Sequence, residues 1–252
     1  MSQPKNPVIV IPARLDSTRL PGKPLADING APMIIQVWRR AVEADIGPVL
    51  VACGDVEIVD TVAAAGGHAL ITDPDLPSGS DRVHQALSMF DPDQHHDAVI
   101  NVQGDLPTID PALITKSLEP LHNADVDITT LAVEIANDEE RTDPNVVKAV
   151  LVFPHEGARI GQALYFSRAV VPYSPIGPHY HHVGLYAFRR SALERFVGLP
   201  LGWLEKLERL EQLRALEAGM RIDVALVDTV PLGVDTPADL DRARALLAPG
   251  SV

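Results

Sequence analysis

A single cysteine, Cys53, is all the thiol chemistry this chain has. One thiol cannot build a disulfide framework within the chain, which suits a reducing compartment. Its setting, the apolar stretch VLVACG, reads as that of a small buried residue at a strand end. Long apolar runs are missing as well: none approaches the ~20 residues that a helix needs to cross a bilayer. Bases are scarce, with 21 Lys and Arg against 34 Asp and Glu and a formal net charge of −13. Such a field repels nucleic acid and anionic membrane surfaces. The N-terminus lacks the ordered basic, apolar and small-residue regions of a secretory signal. A soluble cytoplasmic protein is expected, with neither nucleic acid nor membrane as partner. The glycine fingerprints are absent too. Without GxxxxGK[ST] the chain is no P-loop protein, and without GxGxxG a nicotinamide dehydrogenase is disfavoured.

What the chain does have is an α/β rhythm. Its 252 residues, 46% hydrophobic and 22% charged, are enough for a sizeable core. Short apolar runs at 7–11, 48–53, 68–72, 97–102 and 127–133 alternate with stretches of helical period at 33–44, 56–66, 81–90 and 111–121. That order predicts βαβ units and a mostly parallel sheet with helices on both faces. The strands lack strict alternation, as strands covered on both faces do. The second half is less regular. Residues 146–153, 162–171, 185–189 and 221–227 read as strands, 171–184 as a Pro/His/Gly-rich loop, and 203–219 as one strong helix stopped by Gly219. A helix over 236–248 opens with Thr236 as N-cap and Pro237 at its first position. No linker or composition break divides the chain, so one domain is expected, 1–252, with a less regular subregion at about 150–200.

An acidic chain that handles an anion must gather its cations locally. The loop after the first strand, IPARLDSTRLPGKPL, does so with Arg14, Arg19 and Lys23 on a path constrained by Pro12, Pro21, Gly22 and Pro24. Guanidinium forks suit phosphate oxygens and the lysine adds a point charge. Ligands of open parallel sheets bind at the carboxyl ends of strands, where this loop lies. Asp105 in INVQGDLP follows another strand and is a candidate Mg²⁺ ligand, since Mg²⁺ is held by one or two carboxylates plus phosphates. Asp235 in GVDTPADL is either a second ligand or a residue serving the helix start. LPSGSDR (76–82) is a turn opening a helix, whose N-terminus can hold an anion or a ribose. The histidines of HYHHVG (179–184) lack a second ligand cluster, which disfavours zinc. On a single helix Glu211 falls inside a wide leucine arc, as either a paired carboxylate or a site residue.

IPARLDSTRLPGKPL, NVQGDLP, LYFSR, HVGLY, LEQLR and GVDTPADL, in that order from about Val8 to about Leu246, resemble the 3-deoxy-manno-octulosonate cytidylyltransferases. The resemblance implies a Rossmann-like nucleotide-diphospho-sugar transferase fold and a homodimer. It also implies the reaction of CTP with Kdo to give CMP-Kdo and pyrophosphate for lipopolysaccharide biosynthesis, with Mg²⁺ as cofactor. Arg14, Ser17, Arg19 and Lys23 match residues around the CTP phosphates; Ser78, Gly79, Ser80 and Arg82 match the segment near the cytidine. Gln103 matches a residue that serves nucleotide and sugar. Arg168, His182, Tyr186, Glu211 and Gln212 match the sugar side, with Arg168 pairing the sugar carboxylate. Asp105 and Asp235 match the metal carboxylates and, with Arg14 and Lys23, form the implied catalytic set. Leu106 stands where the family pattern carries Glu. The alternatives are a cytidylyltransferase for 8-amino-Kdo or sialic acid, a UTP or GTP enzyme, or a non-catalytic nucleotide-binding protein of the same fold.

Overall fold

The computed structural model describes residues 4–17, 19–174 and 177–248. The chain opens with strand β1 (Pro7–Ala13), a 3-10 turn (Lys23–Leu25), the short hairpin β2 (Asp27–Ile28) and β3 (Ala31–Pro32), and helix α1 (Met33–Glu43). Then come β4 (Val49–Cys53), α2 (Val56–Ala64), β5 (His68–Ile71), α3 (Gly79–Phe90), β6 (Ala98–Asn101) and α4 (Pro111–Lys116). They are followed by β7 (Ile128–Glu134), α5 (Asp138–Thr142), β8 (Lys148–Val152), β9 (Ile160–Ser167), β10 (Tyr180–Arg189) and α6 (Arg190–Val197). The last elements are α7 (Trp203–Glu208), α8 (Leu213–Glu217), β11 (Ile222–Val227) and α9 (Pro237–Leu246). Contacts gather the described chain into two compact units: a flanking unit of residues 5–115 and 231–248, and a central unit of residues 116–230 together with Pro4.

The flanking unit carries a parallel sheet in the order β5-β4-β1-β6. Val8 to Ile11, Leu50 to Cys53 and Ala98 to Ile100 are fully buried, which explains their unbroken apolar character. Each of the larger side chains contributes about 1.5–3 kcal/mol by leaving water. The chain runs outward from β1 through β4 to β5 and then crosses to the far side of β1 to lay down β6. The connections therefore part company between β1 and β6, and the loops leaving those two strands flank a crevice, the preferred ligand position in such sheets. Helix α9 closes this unit, with Leu240 and Ala243 packed in a core with Ile28, Met33 and Val234.

The central unit is built differently. Its strands run β10-β7-β11-β9-β8, with β7 and β11 parallel and the other neighbours antiparallel. β8 also pairs with β10 through Tyr180–Ala149 and His181–Lys148, so the order closes into a ring.

Three sequence expectations change here. The stretch 203–219 is two short helices, because Arg209 adopts a left-handed conformation (φ 57°, ψ 47°). On one straight helix Glu205 and Arg214, nine residues apart, would stand ~13.5 Å apart on opposite faces. The break brings them together: Arg214 donates Nε to Glu205 Oε2 at 2.8 Å and Nη2 to Oε1 at 2.6 Å, both residues buried. Glu217 folds back to accept from the backbone N–H of Trp203 and Leu204 at the start of α7. Leu207, a member of the supposed apolar arc, is 64% exposed, and Glu211 lies in the connection and not on a helix face. The expected helix 111–121 ends at Lys116, with a separate 3-10 turn at Glu119–His122. Pro120 disfavours helical backbone at the residue before it. The histidines of HYHHVG are not all in a loop, since β10 begins at Tyr180; Pro175 and Ile176 of the expected loop 171–184 lie outside the described residues. Thr236 does cap α9, with Asp239 completing a capping box, and α8 gives out just before Gly219.

Candidate active site

The crevice at the β1 and β6 ends is a cleft of about 430 Å³. It is lined by Arg14, Ser17, Arg19, Lys23, Ser78, Gly79, Arg82, Gln103, Asp105 and Asp235, with Pro12, Ala13, Asp16, Pro24, Leu76, Pro77 and Gly104 completing the wall. Every residue matched to CTP or metal lines it except Ser80, which is buried one residue inside α3 at 3% exposure. Four cationic side chains face three carboxylates here, in a chain with 13 more acids than bases. The cleft is thus where this protein can neutralise an anion.

Backbone geometry sets the cations in place. Gly22, at φ 68°, turns the loop so that its N–H donates to Leu15 O at 3.2 Å and the 3-10 turn can begin at Lys23. Asp55 precedes α2, yet its carboxylate makes no helix cap; Oδ2 accepts instead from Leu15 N–H at 2.9 Å and holds the loop at its start. Gly104 permits the close approach of the β1 and β6 loops, since a Cβ there would stand 2.8 Å from Pro12 O. The carbonyl of Asp105 accepts from Val234 N–H at 2.9 Å, which brings the loop before α9 beside the loop after β6.

The polar centre is a four-residue cluster. Lys23 Nζ donates to Asp105 Oδ2 at 2.7 Å and to Asp235 Oδ1 at 3.1 Å, and Arg19 Nη2 lies 3.0 Å from the same Asp235 oxygen. Asp235 is therefore not the helix cap, the alternative its position left open; Thr236 performs that task. Burial alone would lower the Lys23 pKa, but the charges and hydrogen bonds of Asp105 and Asp235 outweigh it and raise the pKa above the ordinary lysine value. Ser78 caps α3, accepting from Asp81 N–H at 3.2 Å, so the helix start faces the cleft. Arg82, buried, donates to Thr72 Oγ1 and to Pro74 O. Gln103 Nε2 donates to Asn101 Oδ1 at 3.1 Å. Leu106 is buried toward Gly233.

Two carboxylates sharing one ammonium offer hard oxygen donors to a small divalent cation, which also draws ligands from water and phosphate. Among the described residues no group of three or more His, Cys, Asp or Glu side chains could hold a metal, so any ion here depends on such outside ligands. The three histidines of HYHHVG do not converge. His179 Nε2 lies 3.0 Å from Pro172 O, His181 Nδ1 2.6 Å from Glu140 Oε1, and His182 Nε2 3.0 Å from Thr130 Oγ1.

The residues matched to the sugar side, apart from Gln103, belong to the central unit. His182 stacks edge-on to Phe166 with centroids 4.9 Å apart and lies 5.5 Å from Tyr186. The single Thr130 hydroxyl proton is within reach of Val183 O and Leu185 O, both at 2.9 Å. His182 Nε2 must then supply the proton of its own bond to Thr130, which makes Nδ1 the acceptor nitrogen. Burial, and secondarily His181, push the His182 pKa down to about 3. Burial, reinforced by the Glu211 charge, raises the Tyr186 phenol well above its usual value. Gln212 is buried and, among the described residues, its Nε2 has no hydrogen-bond partner, which leaves its N–H groups for a ligand. Arg168 is half-buried and clamped: its Nε donates to Glu208 O and its Nη1 to Pro144 O, each at 3.1 Å. The clamp residues, like Asp55 and Thr130, carried no motif that could single them out; only their place at strand ends hinted at Asp55.

A family model described as cytidylyltransferase matches residues 8–222. A 3-deoxy-manno-octulosonate cytidylyltransferase of Paramagnetospirillum magneticum is 66% identical over 241 residues, covering 96% of this chain and 97% of the relative. Its namesake from Rhodospirillum rubrum is also 66% identical, over 96% of this chain and 95% of the relative. Among solved structures, a CMP:2-keto-3-deoxy-manno-octonic acid synthetase complexed with CTP is similar at a TM-score of 0.88 and 39% identity, over 97% of this chain and 99% of that one. With this cleft, this fold and likeness over nearly its whole length, the chain belongs to the 3-deoxy-manno-octulosonate cytidylyltransferase family.

Proposed function

We infer that the protein transfers CMP from CTP to the anomeric hydroxyl of Kdo, releasing pyrophosphate and giving CMP-Kdo for lipopolysaccharide biosynthesis. The observation that carries this reading is the meeting of Arg19, Lys23, Asp105 and Asp235 in one cleft at the β1 and β6 ends. The names of the relatives and of the CTP-bound neighbour support the substrates. The sugar oxygen attacks the α-phosphorus of CTP, the bond from that phosphorus to the β-phosphate oxygen breaks to release pyrophosphate, and the hydroxyl proton passes to solvent. Nucleotidyl transfer of this kind rests on positioning and on neutralising charge that grows on phosphate oxygens. Arg14, Arg19 and Lys23 serve that need, and Ser17, Ser78, Gly79, Arg82 and Gln103 seat the nucleotide. Asp105 and Asp235 would hold Mg²⁺, which, when bound, polarises phosphate oxygens and eases the departure of pyrophosphate.

On the sugar side Arg168 pairs the carboxylate, His182 Nδ1 accepts from a hydroxyl and Tyr186, kept protonated, donates. Gln212 supplies its buried amide and Glu211 accepts from hydroxyls. A cytoplasmic location and a homodimer belong to the same reading and rest on the family resemblance. The test is pyrophosphate release from purified protein with Mg²⁺, CTP and Kdo, with parallel reactions substituting UTP, GTP, 8-amino-Kdo or sialic acid. Release with CTP and Kdo alone, abolished by EDTA, is expected. Release only with another sugar or nucleotide would move the substrate. Silence from folded protein that binds CTP would overturn the reading.

A further inference from the structure

One ionisable group that the proposed chemistry leaves unused is Lys148. It is fully buried on β8 and reaches no carboxylate in hydrogen-bond range among the described contacts; its Nζ donates instead to three backbone carbonyls. These are Asp143 O at 2.9 Å, Val146 O at 2.6 Å and Arg168 O at 2.8 Å. An ammonium out of water is costly unless its protons find acceptors, and the three carbonyls supply them here. Burial lowers the lysine pKa most; the charge of Asp143 opposes it, Arg168 adds to it and Glu208 opposes it, and the pKa stays below its usual value.

The three carbonyls share a destination. One belongs to Arg168 itself. The other two bracket Pro144, whose own carbonyl accepts from Arg168 Nη1 at 3.1 Å. Lys148 thus fixes both the backbone that bears the guanidinium and the turn against which that guanidinium rests. Glu208 grips the same residue from α7: Oε2 accepts from Arg168 N–H at 3.0 Å, and Glu208 O accepts from Arg168 Nε at 3.1 Å. Oε1 of Glu208 is in turn held by Ser167 Oγ at 2.7 Å.

We propose that Lys148 and Glu208 are positioning residues that aim the Arg168 guanidinium at the carboxylate of the acid sugar. The inference rests on the sugar-binding reading of Arg168. Two of the five guanidinium N–H groups are spent on carbonyls, so the clamp selects which edge of the fork remains for the ligand. A shift of about 1 Å in such a group is worth up to roughly a hundredfold in rate or binding.

The experiment compares Lys148→Met and Glu208→Gln with wild type for the KM of Kdo, the KM of CTP and kcat, with CTP affinity measured separately by calorimetry. If Lys148→Met does not fold, Lys148→Gln, whose amide still donates to two carbonyls, replaces it. The expected result is a rise in the KM for Kdo of about tenfold or more in both variants, with CTP affinity unchanged. Adding either substitution to Arg168→Lys should cost little beyond Arg168→Lys alone, because both act through the same guanidinium. The proposal is overturned if both KM values rise together, if only thermal stability falls, or if the effects add to those of Arg168→Lys. If Arg168→Lys itself leaves the KM for Kdo untouched, the sugar-site reading fails first and takes the clamp with it.

Discussion

Two lysines, one in each unit, show how little burial alone says about a charge. The Lys23 side chain in the flanking unit is 16% exposed and its pKa is raised; Lys148 in the central unit is fully enclosed and its pKa is lowered. Both lose solvation. The difference lies in the partners: two carboxylates for Lys23, three peptide carbonyls for Lys148. A full opposite charge at hydrogen-bond distance offsets desolvation, whereas carbonyl dipoles do so only in part. Lys23 is therefore held in pairs that a ligand can rearrange, and Lys148 as an internal strut.

The sharpest way to break this contrast is within the central unit. Glu205→Ala strips the buried Arg214 of its bidentate partner and removes the acceptor for Gly202 N–H. A loss of ~3–5 kcal/mol is expected by chemical denaturation; a loss near zero would show that the α7–α8 break does not depend on this pair. In the flanking unit the pattern should reverse, with function lost and fold kept. Asp105→Asn is expected to cut kcat/KM for pyrophosphate release roughly 10²- to 10³-fold, with the melting temperature little changed. Unaltered turnover and Mg²⁺ dependence would remove Asp105 from the site.

A third test uses acid. The folded His182 stays neutral to about pH 3, while the unfolded residue takes a proton near 6.5, so its contribution is complete above 6.5 and is lost as pH falls toward 3. Relative to His182→Asn, wild type should lose ~2 kcal/mol of unfolding free energy between pH 7 and pH 5. Parallel curves for the two proteins would mean that the imidazole is not held neutral. The smallest effect concerns the phosphate loop. Asp55→Ala frees Leu15 N–H, and the KM for CTP should rise by about five- to tenfold, the worth of one such hydrogen bond. Asp55→Asn, which keeps an acceptor oxygen, should do less, and equal effects from the two would assign Asp55 another task.

Much of the flanking unit could be read in advance, because its information is local. Apolar runs such as PVIVI and VLVAC mark strands buried on both faces, and in a parallel sheet the loop after a strand is where ligands gather. That logic led from Arg14, Arg19 and Lys23 to the cleft, and Thr236-Pro237 announced α9 through the chemistry of helix starts. Ser80 escaped it, since one step into α3 turns a side chain from cleft to core. The central unit resisted because its determinants are distant in sequence. Leucine spacing favoured one helix over 203–219, and only the tertiary pairing of Glu205 with Arg214 shows why Arg209 adopts a left-handed turn. Nothing local marks Lys148 as buried, for its acceptors are carbonyls, which every residue carries.

The ion pair between Lys23 and Asp235 joins positions 212 residues apart. Between them the polypeptide must be threaded through the whole of residues 116–230 before it comes back to β1. The cost of closing so long an excursion grows only logarithmically with its length, so equilibrium stability tolerates it, but the search time does not shrink in the same way. The cleft is therefore expected to be completed late in folding, once the distant segment that carries Asp235 has returned. Refolding followed by two signals should show it: recovery of β-sheet first, and the ability to bind nucleotide only afterwards.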